Sequence, residues 1–438
     1  MDWGVPLACL AGGFLVLLLI GVPVAFAFTL VNIVGVFVLW GGEVGLRQLT
    51  LSIFTSVALW ALVPIPMFML MGEVLFRTGL AQKAISAIDE WLGRLPGRLS
   101  LLAVGGGTLF ATCSGSTMAG VALLGSLLVP EMEQRGYQKS MSLGPIMASG
   151  GLAMMIPPSI IAVLLASYAE ISVARTLIGG IVPGILMALF YASYIIVRTW
   201  LNPSLAPPYA KALPPLSTRI LSFVRHILPL GFIIFAVVGT IFAGIASPTE
   251  ASALGALCSL VLCAAHRMLN WKVLKESVVQ TFYLAVMVLM IFTGAVAFSQ
   301  VLTFSGISDG LAGIIGGFAA PPILIVAIMM AILVLLGCLM DSMSALMITT
   351  PIFFPLIPLL GFNEIWFAVL MLINLEIGQR TPPFGFSLFV MKGVAPPDTT
   401  MRHIILSILP FLVCDFIVMT LIMVLPRLAL WLPELMLS

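Results

Sequence analysis

Gly378-Gln379-Arg380-Thr381-Pro382-Pro383-Phe384-Gly385 interrupts an apolar run otherwise suited to a helix, and its paired prolines decide how the rest of the chain is read. A proline has no amide donor and its ring obstructs helical bonding just upstream, so carbonyls of the preceding turn become available as ligands. The pair recurs in Met155-Ile156-Pro157-Pro158-Ser159. The shift of 225 positions that superposes the two Pro-Pro steps also carries Cys113 onto Cys338, Met118 onto Met343, Pro130 onto Pro355, Gly136 onto Gly361 and Tyr137 onto Phe362. The chain therefore reads as two copies of one unit, each containing a helix broken at Pro-Pro.

The solvent for these units is lipid. Of 438 residues 61% are apolar and 8% charged, about a third of the charged share of a soluble domain. A net charge of +2 excludes a basic field for nucleic acid. Cys9, Cys113, Cys258, Cys263, Cys338 and Cys414 lie in or beside apolar segments without CxxC spacing, so they read as small core residues and not as disulfide or metal ligands. Met1-Asp2-Trp3-Gly4 lacks the positive region of a secretory signal, and the first apolar stretch reads as a retained membrane helix. No soluble domain is expected, the longest polar stretch being a loop near 201–225.

Runs long enough to cross a hydrocarbon core of about 30 Å, at about 1.5 Å per residue, fall near 50–76, 139–170, 175–197, 227–246, 249–265, 277–303, 363–395 and 403–426. Residues 5–40 read as two short helices turning at Gly21-Val22-Pro23, with one kinked helix as the alternative. Stretches 99–135 and 321–360 are each interrupted at the midpoint by small and polar residues, leaving halves marginal for a full crossing.

The flanking charges orient these pieces. Arg77, Lys83, Arg94 and Arg98 precede the first interrupted stretch, and Arg135 and Lys139 follow it, which puts both its ends on the cytoplasmic side. Carried forward, the rule lands each inside assignment on a basic cluster: Arg198, Lys211, Arg219 and Arg225, then His266, Arg267, Lys272 and Lys275. The second interrupted stretch is flanked only by Asp309 and Glu364, which puts its ends outside. The expected fold is an all-α polytopic membrane protein of inverted-repeat ion-transporter type, with two re-entrant helical hairpins and two broken helices meeting at mid-bilayer. Scaffold helices are expected at 1–98, and a first transport repeat at 99–200 with hairpin 99–135 and broken helix 139–170. A central loop and scaffold helices follow at 201–320, then a second transport repeat at 321–438 with hairpin 321–360, broken helix 363–395 and a C-terminal helix.

The hairpin tips are Cys113-Ser114-Gly115-Ser116-Thr117 and Cys338-Leu339-Met340-Asp341-Ser342-Met343-Ser344. Non-helical backbone at membrane depth must be satisfied by protein, water or ligand. Hydroxyls and freed carbonyls are hard oxygen donors for a cation, and the amides opening the next helix favour an anion. Asp341 is the sharpest residue, because a carboxylate at that depth costs roughly 2.5–3.5 kcal/mol unless paired or hydrated. It reads as a ligand or tip holder, or as the N-cap of the helix from 343 onward, and the roles are compatible. Glu376 and Arg380, four apart, suit a local ion pair; the competing role for Arg380 is to meet an acidic substrate. Glu73 lies within an apolar run, and Glu250 in Ser247-Pro248-Thr249-Glu250 fits a first helical turn. His226, His266 and His403 stand apart from the tips, so neither zinc nor Ser-His chemistry is indicated. There is no GxxxxGK[ST] for ATP. An ion gradient is then the natural energy source for a transporter, and the chain is not read as an enzyme.

Taken together, Ser114-Gly115-Ser116 with Pro130 and Gly136-Tyr137, Ile156-Pro157-Pro158-Ser159, Ser247-Pro248-Thr249-Glu250-Ala251, part of Leu339 to Ser342, and Thr381-Pro382-Pro383-Phe384-Gly385 resemble the large DctM-type membrane subunit of tripartite ATP-independent periplasmic (TRAP) transporters over nearly the whole chain. The resemblance implies an elevator-type, sodium-driven importer of organic acids in a bacterial or archaeal inner membrane. It implies two partners, a small four-helix membrane subunit, here encoded separately, and a periplasmic substrate-binding protein. No cofactor is implied beyond sodium as coupling ion. Carried onto this chain, sodium would be held by Ser114, Gly115, Ser116 and Thr117 with Ile156 and Pro157, and by Asp341, Ser342 and Ser344 with Gly378, Thr381 and Pro382. Ser116, Ser159, Ser344 and Arg380 would meet the organic anion, although Arg380 stands where the family more often has an apolar residue. The alternative is a stand-alone carboxylate or oxyanion carrier of the same architecture. A channel would need a continuous polar lining, and an intramembrane hydrolase would need a His or paired-Asp constellation.

Overall fold

The computed structural model describes residues 3–436 except 94, 96, 208–213, 308–309, 311–312 and 314–319, together with all but the side chains of Ala111, Cys113 and Ser114. Arg94, Lys211 and Asp309, used above for orientation, lie outside the described residues, as do the side chains of Cys113 and Ser114. Every regular element among the described residues is helical. Helices α1 (Gly4–Leu19) and α2 (Val24–Leu39) are separate, divided at Gly21, whose φ of 86° suits glycine. The expected span at 50–76 is found at Trp60–Arg77, with its start moved downstream. The 50–76 run is shared between the end of α3 (Glu43–Val57) and the whole of α4 (Pro64–Arg77), with a single 3-10 turn at Trp60–Leu62 between them. Pro64 and Pro66 cannot continue a helix from upstream, so they open a new one.

After α5 (Leu80–Leu92) comes the first helix-tip-helix, α6 (Arg98–Ser114) and α7 (Thr117–Gln134), and then a helix broken at the first Pro-Pro, α8 (Lys139–Met155) and α9 (Ile160–Tyr168), bent by 41°. The connecting helices are α10 (Val173–Gly179), α11 (Ile181–Leu201), α12 (Leu216–Ser222), α13 (Leu228–Phe242), α14 (Pro248–Ala265) and the 34-residue α15 (Trp271–Phe304). The second unit repeats the order: α16 (Pro322–Leu339), α17 (Ser342–Phe353), the short α18 (Leu356–Leu359), then α19 (Glu364–Arg380) and α20 (Phe386–Val394) broken at the second Pro-Pro. The chain closes with α21 (Met401–Val424) and α22 (Arg427–Glu434). Seven helices among the described residues are long and apolar enough to cross a membrane, and the bent α8–α9 pair makes an eighth. The chain is therefore a multi-pass membrane protein.

The broken helices form the core. Every residue of α8 from Met141 to Met155, and of α19 from Trp366 to Arg380, is buried, so neither faces lipid. Small residues let helices approach this closely where no hydrophobic force separates protein from lipid tails. A Cβ placed on Gly378 would lie 2.7 Å from the Cα of Gly337, which fixes where α16 crosses α19.

Several of the basic residues read above bind groups on other helices: Lys83 reaches Met268 (3.7 Å), His266 meets the carbonyl of Arg225 (3.2 Å), Arg219 stacks over Trp91 (5.2 Å) and Lys139 binds Asp398 (2.6 Å). Tyr168 and Glu170 border a pocket with Thr303, Pro358 and Glu364.

Candidate functional site: a cavity between the two tips

Each tip is shaped by a residue able to cap the helix that follows. At the first, Gly115 takes a φ of 60° and Ser116 caps α7, accepting from the amide of Ala119 (3.4 Å). At the second, Asp341 caps α17: its carboxylate accepts the Ser344 amide (3.1 Å) and the Ser344 hydroxyl. The first break is capped in the same manner, Ser159 accepting from Ala162 (3.2 Å) and donating to the carbonyl of Met154 (2.7 Å), whereas at the second Gly385 opens α20 with no side-chain cap. Thr381 donates to the carbonyl of Ile377 (2.6 Å).

Tip and break of each unit lie against one another. A Cβ on Gly115 would stand 3.6 Å from the carbonyl oxygen of Pro158 and 3.0 Å from Ile160. In the second unit Ser342 donates to the carbonyl of Leu375 (3.4 Å). A third contact ties the units together: Thr117, on the first tip, donates to Glu376 Oε1 of the second broken helix at 2.7 Å.

Both tips open on one cavity of about 440 Å³. Gly115, Ser116 and Thr117 line it from the first tip, Asp341 and Ser342 from the second. Met154 and Ile160 of the first break, and Gln379 and Phe386 of the second, complete that wall. The facing wall comes from α4 and α15 and includes Glu73, Phe76, Gln280 and Met287. Glu73 pairs with Arg77 (2.9 Å), which also holds Glu276 of α15 (2.9 Å).

Among the described residues, the others singled out by sequence do not line the cavity, and the side chain of Ser114 lies outside the described residues. Ser159 and Ser344 are buried and committed to their caps, and Gly378 is occupied by its crossing with Gly337. Ile156, Pro157, Thr381 and Pro382 shape the breaks from behind. Of the two roles considered for Arg380, the structure shows the ion pair. Its side chain is 0% exposed, 3.5 Å from Glu376 and 3.3 Å from Asp415, and it donates to the carbonyls of Glu376 (3.1 Å) and Ala148 (3.2 Å) and to Tyr191 Oη (3.3 Å). Tyr191 in turn donates to Asp415. The guanidinium thus joins α8, α11, α19 and α21, and through Glu376 it reaches Thr117 on the first tip.

Sequence reasoning missed Asp415, Gln280 and Gln379 and gave Glu73 no role. Asp415 carried a readable signal, because a lone carboxylate in the middle of the apolar Met401–Val424 segment demands a buried partner. The glutamines carried none.

A polytopic membrane protein with two helix-tip-helix units around a central polar-tipped cavity is built to hold a small solute between its halves. The comparisons with known proteins carry this further. The family model for the tripartite ATP-independent periplasmic transporter DctM component matches residues 11–428, and the chain belongs to that family. It is 31% identical over 402 residues to an isethionate TRAP transporter permease protein DctMQ of Oleidesulfovibrio alaskensis, covering 90% of this chain and 61% of that relative. It is 30% identical to a C4-dicarboxylate TRAP transporter large permease protein of Pseudomonas aeruginosa, over 89% of this chain and 90% of that one. An ectoine TRAP transporter large permease protein of Halomonas elongata is 28% identical, over 96% and 97% of the two chains. Among solved structures, a YdaH transporter of Alcanivorax borkumensis shares the fold, with a TM-score of 0.61 and 15% identity over 89% of each chain. The chain is a transporter permease component and not an enzyme.

Proposed function

We propose that this chain is the large subunit of a sodium-driven importer of a small organic acid, working with a small four-helix membrane subunit and a periplasmic binding protein in a bacterial or archaeal inner membrane. The observation that carries the reading is the meeting of two capped, non-helical tips, one from each repeat, at one cavity. Gly115, Ser116, Thr117, Asp341 and Ser342 offer carboxylate, hydroxyl and backbone oxygens, the donors a hard cation prefers. Sodium bound there neutralises Asp341 and orders both tips, and the acid then settles between them on the amides that open α7.

Several contacts support an inverted, re-entrant arrangement. The outer ends of α6 and α7 lie by the basic residues Arg98 and Lys139, while the end of the second hairpin lies beside Glu170. The hairpins and broken helices, tied by Thr117, Glu376 and Arg380, move as one body against α4 and α15, carrying the cavity from one side to the other. Relatives named for isethionate, C4-dicarboxylate and ectoine support an organic acid as cargo.

The test is uptake into proteoliposomes holding both membrane subunits, with loaded binding protein outside. An inward sodium gradient is expected to drive accumulation; accumulation indifferent to sodium and driven by a proton gradient overturns the ion assignment.

A further inference from the structure

The cavity is charged the wrong way for a bare polyanion. Glu73 on α4 and Asp341 on the second tip are the ionisable side chains that line it among the described residues, and no Lys, Arg or His joins them. The nearby guanidiniums are engaged: Arg77 is divided between Glu73 and Glu276, and Arg380 between Glu376 and Asp415. Among the described residues the cavity wall therefore presents two carboxylates and no cation of its own. Coupling cations at the tips offset part of this. A dianionic cargo would restore it in a low-dielectric setting where like charges repel strongly.

A second observation concerns the wall itself. Gln379 lines it with 6% of its surface exposed, and its Oε1 has no hydrogen-bond partner among the described residues. A buried carbonyl oxygen left in this way is a place for a donor to be supplied by a ligand. Glu73 on the facing wall is a second acceptor, and Arg77 only partly compensates it.

We propose that the cargo is a zwitterion, a small acid that carries its own ammonium, amidinium or guanidinium group, with that cationic nitrogen received by Glu73 and Gln379. This deepens the organic-acid reading and rests on it. The carboxylate end faces the tip amides and the coupling sodium. Asp341, already committed to its helix cap, serves the ion, and Glu73 serves the nitrogen. A volume of about 440 Å³ suits a molecule of this size. Because Glu73 lies on α4, outside the hairpins and broken helices, its bond to the nitrogen forms only when the cavity faces α4. That makes the contact specific to one stage of the cycle.

The experiment is competition for sodium-driven uptake by the three-component transporter in proteoliposomes. The probes are 4-aminobutyrate and ectoine against succinate, butyrate and isethionate, with wild type, Glu73→Gln and Gln379→Met compared. Competition by the zwitterions is expected. Glu73→Gln should raise the KM for them at least tenfold while leaving the sodium KM unchanged. Gln379→Met, which keeps the side-chain volume, should weaken them several-fold, so the proposal stays open to refutation if one variant fails to assemble. Preference for succinate or isethionate over the zwitterions, or equal effects of Glu73→Gln on zwitterions and monoanions, overturns the zwitterion assignment and leaves the organic-acid reading intact. Failure of sodium to drive uptake of any acid overturns both.

Discussion

Replacing Arg380 by Met retains most of the side-chain volume and removes the guanidinium, which isolates the effect of the charge. In its absence Glu376 and Asp415 lose the guanidinium that pairs with both, and the carbonyl of Ala148 and the Tyr191 oxygen lose a donor. Breaking a buried ion pair from one side costs about 3–5 kcal/mol, because the orphaned charge stays buried. Total stabilities of about 5–15 kcal/mol make that a large fraction. Arg77→Met is the matched control, since its partners are 21% and 45% exposed and water can take over from the guanidinium; such pairs contribute about 0–1 kcal/mol. Thermal unfolding of purified protein in detergent, read by the loss of the monodisperse chromatographic peak, should place Arg380→Met far below wild type and Arg77→Met close to it. Arg380→Lys should not rescue, because one ammonium cannot reproduce the fork shared between two carboxylates, a carbonyl and a phenol. Equal midpoints for Arg380→Met and Arg77→Met, with uptake retained, would refute the reasoning that this residue is a structural hub.

Three further outcomes follow from the tips and crossings. Thr117→Val removes the hydroxyl donated to Glu376 at 2.7 Å and leaves a buried carboxylate oxygen short of a partner, a loss of about 1–3 kcal/mol that should appear as a lowered unfolding midpoint and slower uptake. Asp341→Asn keeps a good N-cap, so the midpoint should barely change, yet the sodium KM should rise at least about tenfold; an unchanged sodium KM would reduce Asp341 to a cap. Gly378→Ala forces a methyl against the Gly337 backbone and should destabilise by about 1–3 kcal/mol, whereas Gly12→Ala, with nothing within 4 Å, should be neutral or slightly stabilising in the same assay.

What was legible in the sequence was mostly local. Paired prolines break helices wherever they stand, and Ser116, Ser159 and Asp341 each precede a helix by the spacing a cap requires, so tips and breaks fall where expected. Glu250 falls in a first helical turn as its spacing implied, where it also closes a capping box with Ser247. Apolar composition alone could not divide 50–76, because the end of α3 and all of α4 are equally apolar; the prolines at 64 and 66 held that information. The cavity wall was harder to read. Gln280 and Gln379 become neighbours of the tips only through tertiary packing, and no periodicity marks a glutamine as facing a cavity. Arg380 shows both sides of this limit: its partner four residues away was readable and Asp415 demanded some buried partner, whereas the meeting of Arg380 with Asp415 on α21 and Tyr191 on α11 was not legible.

The central claim is that the cavity between the tips is the transport site and is presented to each side in turn. Ala119→Cys, on the cavity wall beside the first tip, in a background with the native cysteines replaced, can be labelled with a membrane-impermeant thiol reagent applied separately to each face of oriented vesicles. Labelling from both faces, blocked from both by sodium with transported acid, is the predicted result. Labelling from one face only, whatever the sodium and acid present, would contradict it.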